Sequence, residues 1–241
     1  METVRGAFRD ECGRLEEVLR GLTEADLERP TPCPPWPVRD LLAHVSTGAG
    51  RLVAMLAAPA PERAEVDAAG YFGAAKFTPE VDGARIDSAR REARQLAGVP
   101  EVADGFARAW RAADAAVAAQ PPGRLVRTRH GDAMTLTEFL RTRVVEVGVH
   151  GLDLADALDR RPWLTPTAAQ VVADLLTGDG SEPRRGARRA EPELSYGRPA
   201  PDGLGWDPLT LVRKATGRAP LTERERTLVD RSGFRWLSFG G

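Results

Sequence analysis

The chain has 241 residues, with 34 lysine and arginine residues against 35 aspartate and glutamate residues, for a formal net charge of -1. This balance argues against a general attraction to nucleic acid or to anionic membranes. No apolar run approaches the roughly 20 residues of a membrane-spanning helix. The N-terminus, METVRGAFRDEC, also lacks the apolar segment of a signal peptide. We therefore expect a cytoplasmic protein with neither a nucleic-acid nor a membrane partner.

Apolar residues recur at helical spacing along most of the chain. The predicted helices of the main body span residues 3–20, 38–57, 86–97, 102–119, 136–159 and 166–177. The proline-rich segment TPCPPWP, residues 31–37, separates the first two, and residues 58–84 form a long crossover. Residues 124–134 alternate weakly, which predicts an extended pair or a loop. The helix that follows begins at Thr135, which has a glutamate three residues later, or at Thr137 as a competing cap.

Four long amphipathic helices with a long crossover predict a mainly α fold built on a four-helix bundle, which we assign to residues 1–177. Residues 178–204 are rich in Gly, Pro, Arg and Glu and are predicted to be a linker or a surface excursion. Residues 205–241 are predicted to form a small α+β segment packed on the bundle. Within it we expect helices at 208–214 and 223–231, and a short strand or apolar plug in FRWLSFGG.

Three side chains on two of these helices have the chemistry of a metal site. Glu146 and His150 are four residues apart, so they lie on one helix face, one turn apart. His44 lies in the apolar context LLAHVS of another helix. Two imidazoles and one carboxylate are the ligands of a zinc-type site that keeps a coordination position open for catalysis. The alternatives are a surface ion pair for Glu146 and His150 and a core histidine at position 44.

Two further residues share the face of Glu146 and His150. Asp153 follows His150 by three positions, so it either accepts a hydrogen bond from that imidazole and fixes its tautomer, or serves helix packing. Arg143 precedes Glu146 by three positions, so it either holds a substrate carboxylate or pairs with an acidic side chain. His130, in the loop RHGDAM, is predicted to lie at the surface or at the rim of the site.

Three separated motifs suggest a family. The segments are TPCPPWPVRDLLAHV (31–45), RTRVVEVGVHGLDLADAL (141–158), and a tail with KATGRAPLTERE and WLSFGG. In this order they resemble the DinB-like proteins of the mycothiol-dependent maleylpyruvate isomerase family. The first carries the Trp-containing entry and the His-bearing second helix, and the second carries the Glu, His and Asp of the fourth helix.

The resemblance implies a DinB-type four-helix bundle with one divalent metal ion, usually zinc, on His44, Glu146 and His150. It also implies mycothiol as a low-molecular-weight thiol cosubstrate. Because the family holds substrate acids with arginines from the crossover and C-terminal regions, Arg85 and Arg218 join Arg143 as candidates for substrate or thiol binding. The arginine-rich, lysine-poor composition fits an actinobacterial source.

The leading hypothesis is a metal-dependent enzyme in which a metal-activated thiol attacks a small electrophilic molecule, as an S-transferase or a cis–trans isomerase. The two cysteines, Cys12 and Cys33, form no CxxC pair, which argues against a disulfide framework and a thiolate zinc site. Neither is needed as a nucleophile, and Cys33, which lies between prolines, is predicted to pack.

Two other functions use the same features. In a metal-dependent hydrolase of an amide or thioester, the ion would activate water, and Asp153 or another acid would act as the base. In a non-catalytic protein, the bundle would only bind a small molecule or a metal. The sequence leaves the substrate and the oligomeric state open.

Overall fold

The structure is a computed structural model, and it describes residues 1–73, 78–178, 203–234 and 236–237. The elements of this part of the chain are α1 (Glu2–Arg20), α2 (Glu24–Leu27), α3 (Val38–Ala57), α4 (Ala68–Tyr71), α5 (Pro79–Ala93), α6 (Val99–Ala118), β1 (Leu125–Arg127), β2 (Ala133–Thr135), α7 (Leu136–Ala157), α8 (Pro166–Thr177), α9 (Pro208–Ala215) and α10 (Glu223–Ser232). The mainly α fold is therefore confirmed. No helix among the described residues is long and apolar enough to cross a membrane.

The four long helices α1, α3, α6 and α7 form a bundle in which each packs against two neighbours. Helix α3 contacts α6 and α7, and α1 contacts the same two helices from the other side. Their apolar faces meet in a continuous core that includes Phe8, Leu41, Phe106 and Leu140, all of them fully buried. The predicted four-helix bundle is thus confirmed, with α5 packed on α3 and α8 packed on α1 and α7.

The C-terminal segment joins the bundle through α8. Helix α9 packs on α8, and the backbone N–H of Leu237 donates to the carbonyl of Leu176 at 2.9 Å. Helices α9 and α10 begin where the sequence predicts them, and the side chains of Asp207 and Thr222 cap them. Of residues 178–204, predicted as a linker or a surface excursion, residues 179–202 lie outside the described residues. The predicted terminal strand or plug falls largely on residues 235 and 238–241, which lie outside them as well.

Local details differ from the sequence prediction in the crossover. Helix α5 begins at Pro79 and not at residue 86, because the Thr78 side chain accepts from the N–H of Val81 and caps the helix. The crossover also contains the short helix α4. Strands β1 and β2 pair antiparallel, so the extended pair predicted within 124–134 is present.

Helix α7 begins as predicted at Thr135, whose side chain accepts from the N–H of Glu138 at 3.2 Å. The competing cap at Thr137 is wrong, since that residue lies inside the helix. The carboxylate of Glu138 accepts the N–H of Ala68 at 3.1 Å, so it anchors the crossover to the start of α7.

Glu11 is an acidic side chain in the core of the bundle. It is fully buried on α1, and its Oε2 accepts the N–H of Thr165 at 2.9 Å. Its Oε1 has no hydrogen-bond partner among the described residues. Burial raises the pKa of Glu11 to about 7, although the hydrogen bond from Thr165 acts in the opposite direction. The folded protein therefore holds this proton more tightly than the unfolded chain does.

This difference in proton affinity predicts a pH-dependent stability. Between the ordinary pKa of 4.5 and the folded value of about 7, the free energy of unfolding should fall as pH rises. The contribution of Glu11 to this change in the free energy of unfolding is at most about 3 kcal/mol. Glu11→Gln should remove it, so the difference between wild type and variant should change across this range. Urea unfolding at pH 5 to 8 measures the effect, with Glu17→Gln on the exposed side of α1 as control. Parallel pH profiles for wild type and Glu11→Gln would contradict it.

Candidate metal centre

Helices α3 and α7 bring the three predicted ligands together. The Nε2 atom of His44 lies 3.2 Å from Oε2 of Glu146, and Nε2 of His150 lies 3.7 Å from the same oxygen. The two imidazole rings meet edge to face, with centroids 5.4 Å apart. One ligand atom from each residue lies within 4.8 Å of the others. This convergence of two ring nitrogens and one carboxylate oxygen suits a single divalent ion.

The helices place these side chains through ordinary helical geometry. His44 lies two turns into α3, which begins directly after Pro37. Glu146 and His150 lie one turn apart on α7. The ring of His44 stacks on Trp36, with centroids 4.9 Å apart, so the segment before α3 orients this imidazole.

The ionisation of the three side chains follows from their burial and their neighbours. Burial lowers the pKa of His44, although Glu146 acts against it. Burial alone would raise the pKa of Glu146, but the hydrogen bond to His44 and the charge of Arg143 hold it well below its usual range. Glu146 is therefore ionised at neutral pH, as a carboxylate ligand must be.

His150 takes its orientation from Asp153. Its Nδ1 lies 3.0 Å from Oδ2 of Asp153, so Nε2 is left facing His44 and Glu146. Burial alone would lower the pKa of His150, but Asp153 and Glu146 outweigh burial and raise it to about 10. A metal ion that binds Nε2 must therefore displace a proton. The structure places Asp153 where a partner of a ligand imidazole is expected.

A second group, formed by Cys33, His150 and Asp153, also brings possible ligand atoms within 4.8 Å of one another. Its carboxylate is already paired, because Arg218 donates from Nε to Oδ1 and from Nη2 to Oδ2, each at 2.9 Å. A cation here would face that guanidinium, so the group with His44 and Glu146 fits an ion better. The packing role predicted for Cys33 is incomplete, since its thiol donates to Asp153 Oδ2 at 3.1 Å.

The candidate ligands line a pocket of about 180 Å³. The aromatic part of the pocket wall is formed by Trp36, Tyr71 and Phe72. His130 lines the same pocket, so its predicted place at the rim is consistent with the structure. The arginines of the wall are Arg51, Arg85, Arg129, Arg143 and Arg218. A pocket that combines the three candidate ligands with five arginine side chains suits a small anionic molecule.

Three of these arginines were predicted and two were not. Arg85 pairs with Asp82 at 2.9 Å, and Arg218 is held by Asp153. Arg143 is buried, with its guanidinium 4.8 Å from the ring centre of Phe139. Arg51 follows His44 by seven residues on the same helix, a spacing that could have indicated it. Arg129 lies in the turn between β1 and β2, where no periodicity points to it.

Comparison with known proteins gives the family. The family model described as the mycothiol maleylpyruvate isomerase N-terminal domain matches residues 8–155, more than half of the chain. The chain belongs to this family. The family predicted from the sequence motifs is therefore confirmed, and so is the prediction of an enzyme.

Two solved structures share the fold. The crystal structure of the mycothiol-dependent maleylpyruvate isomerase has a TM-score of 0.51 and 16% sequence identity, and the match covers 75% of this chain and 72% of that chain. A histidine-to-alanine mutant of the mycothiol-dependent maleylpyruvate isomerase gives the same TM-score of 0.51 and the same coverage of 75% and 72%, at 15% identity. No curated protein matches the sequence.

The contact between Asp153 and His150 predicts a measurable effect on metal affinity. Asp153→Asn should weaken binding of Zn²⁺ about 10- to 100-fold, because the partner of a ligand imidazole fixes its orientation and raises its basicity. Competition with a chromogenic chelator measures the affinity, and circular dichroism checks that the variant is folded. Asp156→Asn, an exposed change on the same helix, is the matched control. Equal zinc affinity in the two variants would rule out this role for Asp153.

Proposed function

We propose that this protein is a metal-dependent enzyme that uses mycothiol as a nucleophile toward a small electrophilic acid, in cis–trans isomerisation. The observation that carries the proposal is the convergence of His44, Glu146 and His150 at an arginine-rich pocket, in a chain of this family. The solved relatives are named for mycothiol and maleylpyruvate, and we extend that reaction class, not the individual substrate, to this chain. S-transfer to an electrophile is the related outcome in which the new carbon–sulfur bond is kept.

In this proposal His44, Glu146 and His150 hold one divalent ion, which we take to be zinc. When bound, such an ion stabilises a coordinated thiolate and so supplies a sulfur nucleophile at neutral pH. Addition of the thiol to a conjugated double bond leaves a single bond that can rotate. Expulsion of the thiol then restores the double bond as the trans isomer and returns the thiol unchanged.

Other residues of the protein orient the two candidate imidazole ligands and line the pocket. Asp153 holds the ring of His150 from the far side, and Trp36 packs on the ring of His44. Arg85 and Arg143 line the pocket with donors that suit a substrate carboxylate. Arg218 contributes to the orientation of His150 indirectly, because its bidentate contact holds the carboxylate of Asp153.

The cysteines of the chain take no part as nucleophiles in this proposal. Cys12 is fully buried in the core, where burial raises the pKa of its thiol. The thiol of Cys33 donates a hydrogen bond to Asp153, and Cys33 is not among the residues that line the pocket. The nucleophilic sulfur must then come from a cosubstrate. A reduced thiol cosubstrate is available in a reducing compartment, and the cytoplasmic location and actinobacterial source predicted from the sequence belong to the same proposal.

The environment of Asp153 disfavours the hydrolase hypothesis. A general base must be free to take a proton from water. Asp153 is buried and accepts hydrogen bonds from His150, Cys33 and Arg218. Burial alone would raise the pKa of its carboxyl, but the contacts with His150 and Arg218 hold it well below its usual range. Its charge is thus used to hold neighbouring side chains.

The proposed reaction is tested by its need for thiol. With mycothiol and a cis-unsaturated keto acid, the wild-type protein should form the trans isomer. Omission of the thiol or the change His150→Ala should each lower the rate at least 100-fold, because the nucleophile is then missing or not activated. Ultraviolet absorbance or chromatography follows the two isomers, and Arg108→Gln on the exposed face of α6 serves as the control.

Two outcomes would count against the proposal. Isomer formation at the wild-type rate by His150→Ala would exclude a role for the ligand group in the reaction. Thiol-independent turnover of an amide or thioester by the wild-type protein would favour the hydrolase instead.

A further inference from the structure

The two oxygens of the Glu146 carboxylate face different partners. Oε2 lies 3.2 Å from Nε2 of His44 and 3.7 Å from Nε2 of His150. Oε1 lies 3.8 Å from Nη2 of Arg143, which is close enough for an ion pair but too long for a direct hydrogen bond. An ion held by the two imidazole nitrogens would therefore meet Oε2, while Oε1 lies beside a guanidinium group.

Arg143 is held in place by contacts from both helices. The side chain is buried, and its Nε and Nη2 atoms each donate to the hydroxyl of Thr142 at 3.1 Å. That hydroxyl donates in turn to the carbonyl of Phe139 at 2.6 Å, and the ring centre of Phe139 lies 4.8 Å from the guanidinium carbon. A Cβ atom at Gly48 would lie 3.1 Å from Nη1, so the guanidinium packs against α3 where there is no side chain. The position of this positive charge is therefore well defined by the fold.

The number of Glu146 oxygens that bind an ion decides whether a coordination position stays open. Catalytic zinc has three protein ligands and keeps its fourth position for water or substrate. The two imidazole nitrogens and Oε2 alone make three ligand atoms. The same nitrogens with both carboxylate oxygens make four, which would leave no position for a thiol. A group that keeps Oε1 away from the ion would therefore keep the site open.

Arg143 can act in this way through its charge and its position. Binding through both oxygens would require the carboxylate to turn, so that Oε1 would leave the cation beside it. A guanidinium and a divalent ion also repel each other, which favours the ion on the Oε2 side of the carboxylate, farther from Arg143. Among the described residues, Arg143 is the one arginine that forms an ion pair with Glu146.

We propose that Arg143 is a positioning residue that holds Oε1 of Glu146 away from the metal ion, so that Glu146 binds the ion through Oε2 alone. One coordination position then stays open for the sulfur of the thiol. The inference rests on the proposed function only in taking one ion to be bound by His44, Glu146 and His150.

The coordination of Glu146 is tested on the metal-loaded protein without thiol or substrate. In crystal structures of the zinc form, one Glu146 oxygen should lie at about 2.0–2.2 Å from zinc in the wild-type protein, and both oxygens should bind in Arg143→Gln. Cobalt(II) in place of zinc gives a readout in solution, because its visible absorption weakens as the coordination number rises. Arg143→Gln should therefore absorb less than the wild-type protein. Arg51→Gln, which removes the charge of another arginine of the pocket wall, should keep the wild-type spectrum.

A second variant keeps the charge of Arg143. Thr142→Val is nearly isosteric and removes the oxygen that accepts from Nε and Nη2, so it loosens the guanidinium without removing it. The cobalt absorption should fall in this variant as well, by less than in Arg143→Gln. Thr177→Val changes a buried threonine of α8 and should leave the absorption unchanged. Circular dichroism checks that the variants are folded.

The outcomes separate this inference from the proposed function. Two Glu146 oxygens on zinc in the wild-type protein, or a single one in Arg143→Gln, would overturn the inference alone. A wild-type protein that binds no metal at these residues would overturn both proposals. If one oxygen binds zinc as expected and the thiol reaction fails, the proposed function is overturned and the role of Arg143 stands.

Discussion

The carboxylate of Asp153 joins three separate parts of the chain inside the protein. It is fully buried on α7 and accepts from the thiol of Cys33 before α3, from the imidazole of His150, and from the guanidinium of Arg218 after α9. A buried carboxylate is stable only when such partners compensate for its lost hydration. Because one of those partners is a candidate metal ligand, the packing of the C-terminal segment and the geometry of the metal centre depend on the same charge.

The bundle itself is predictable from apolar periodicity. The predicted helix at 38–57 coincides with α3, and the predicted helix at 166–177 coincides with α8. Periodicity fails where a helix has little apolar face. The first turns of α5 carry Gly83 and Ala84, and here the start is set by the cap at Thr78. Helix α2 is a single turn, too short for any periodic pattern to be seen.

The candidate site is likewise predictable only in part: helical spacing in the sequence indicates some of its residues, and tertiary contacts determine the others. The spacing of Glu146 and His150 fixes their common helix face, and the apolar context of His44 points it inward, so these three are predictable. The pairing of Asp153 with Arg218 is a tertiary contact that the sequence does not indicate, because Arg218 lies 65 positions further along the chain. The turn that carries Arg129 has no periodicity at all. Sequence spacing therefore indicates the candidate ligands and their neighbours Asp153 and Arg143, while the pairing of Asp153 with Arg218 and the place of Arg129 at the pocket appear only in the folded protein.

The metal content of the purified protein tests the central claim most directly. Elemental analysis of the wild-type protein should find one equivalent of a divalent metal, zinc by the chemistry of the ligands. His44→Ala and His150→Ala should each lose it, while His130→Ala, which removes the third histidine of the chain, should keep it. Full metal content in His44→Ala and His150→Ala, or its loss in His130→Ala alone, would contradict a centre built on His44, Glu146 and His150.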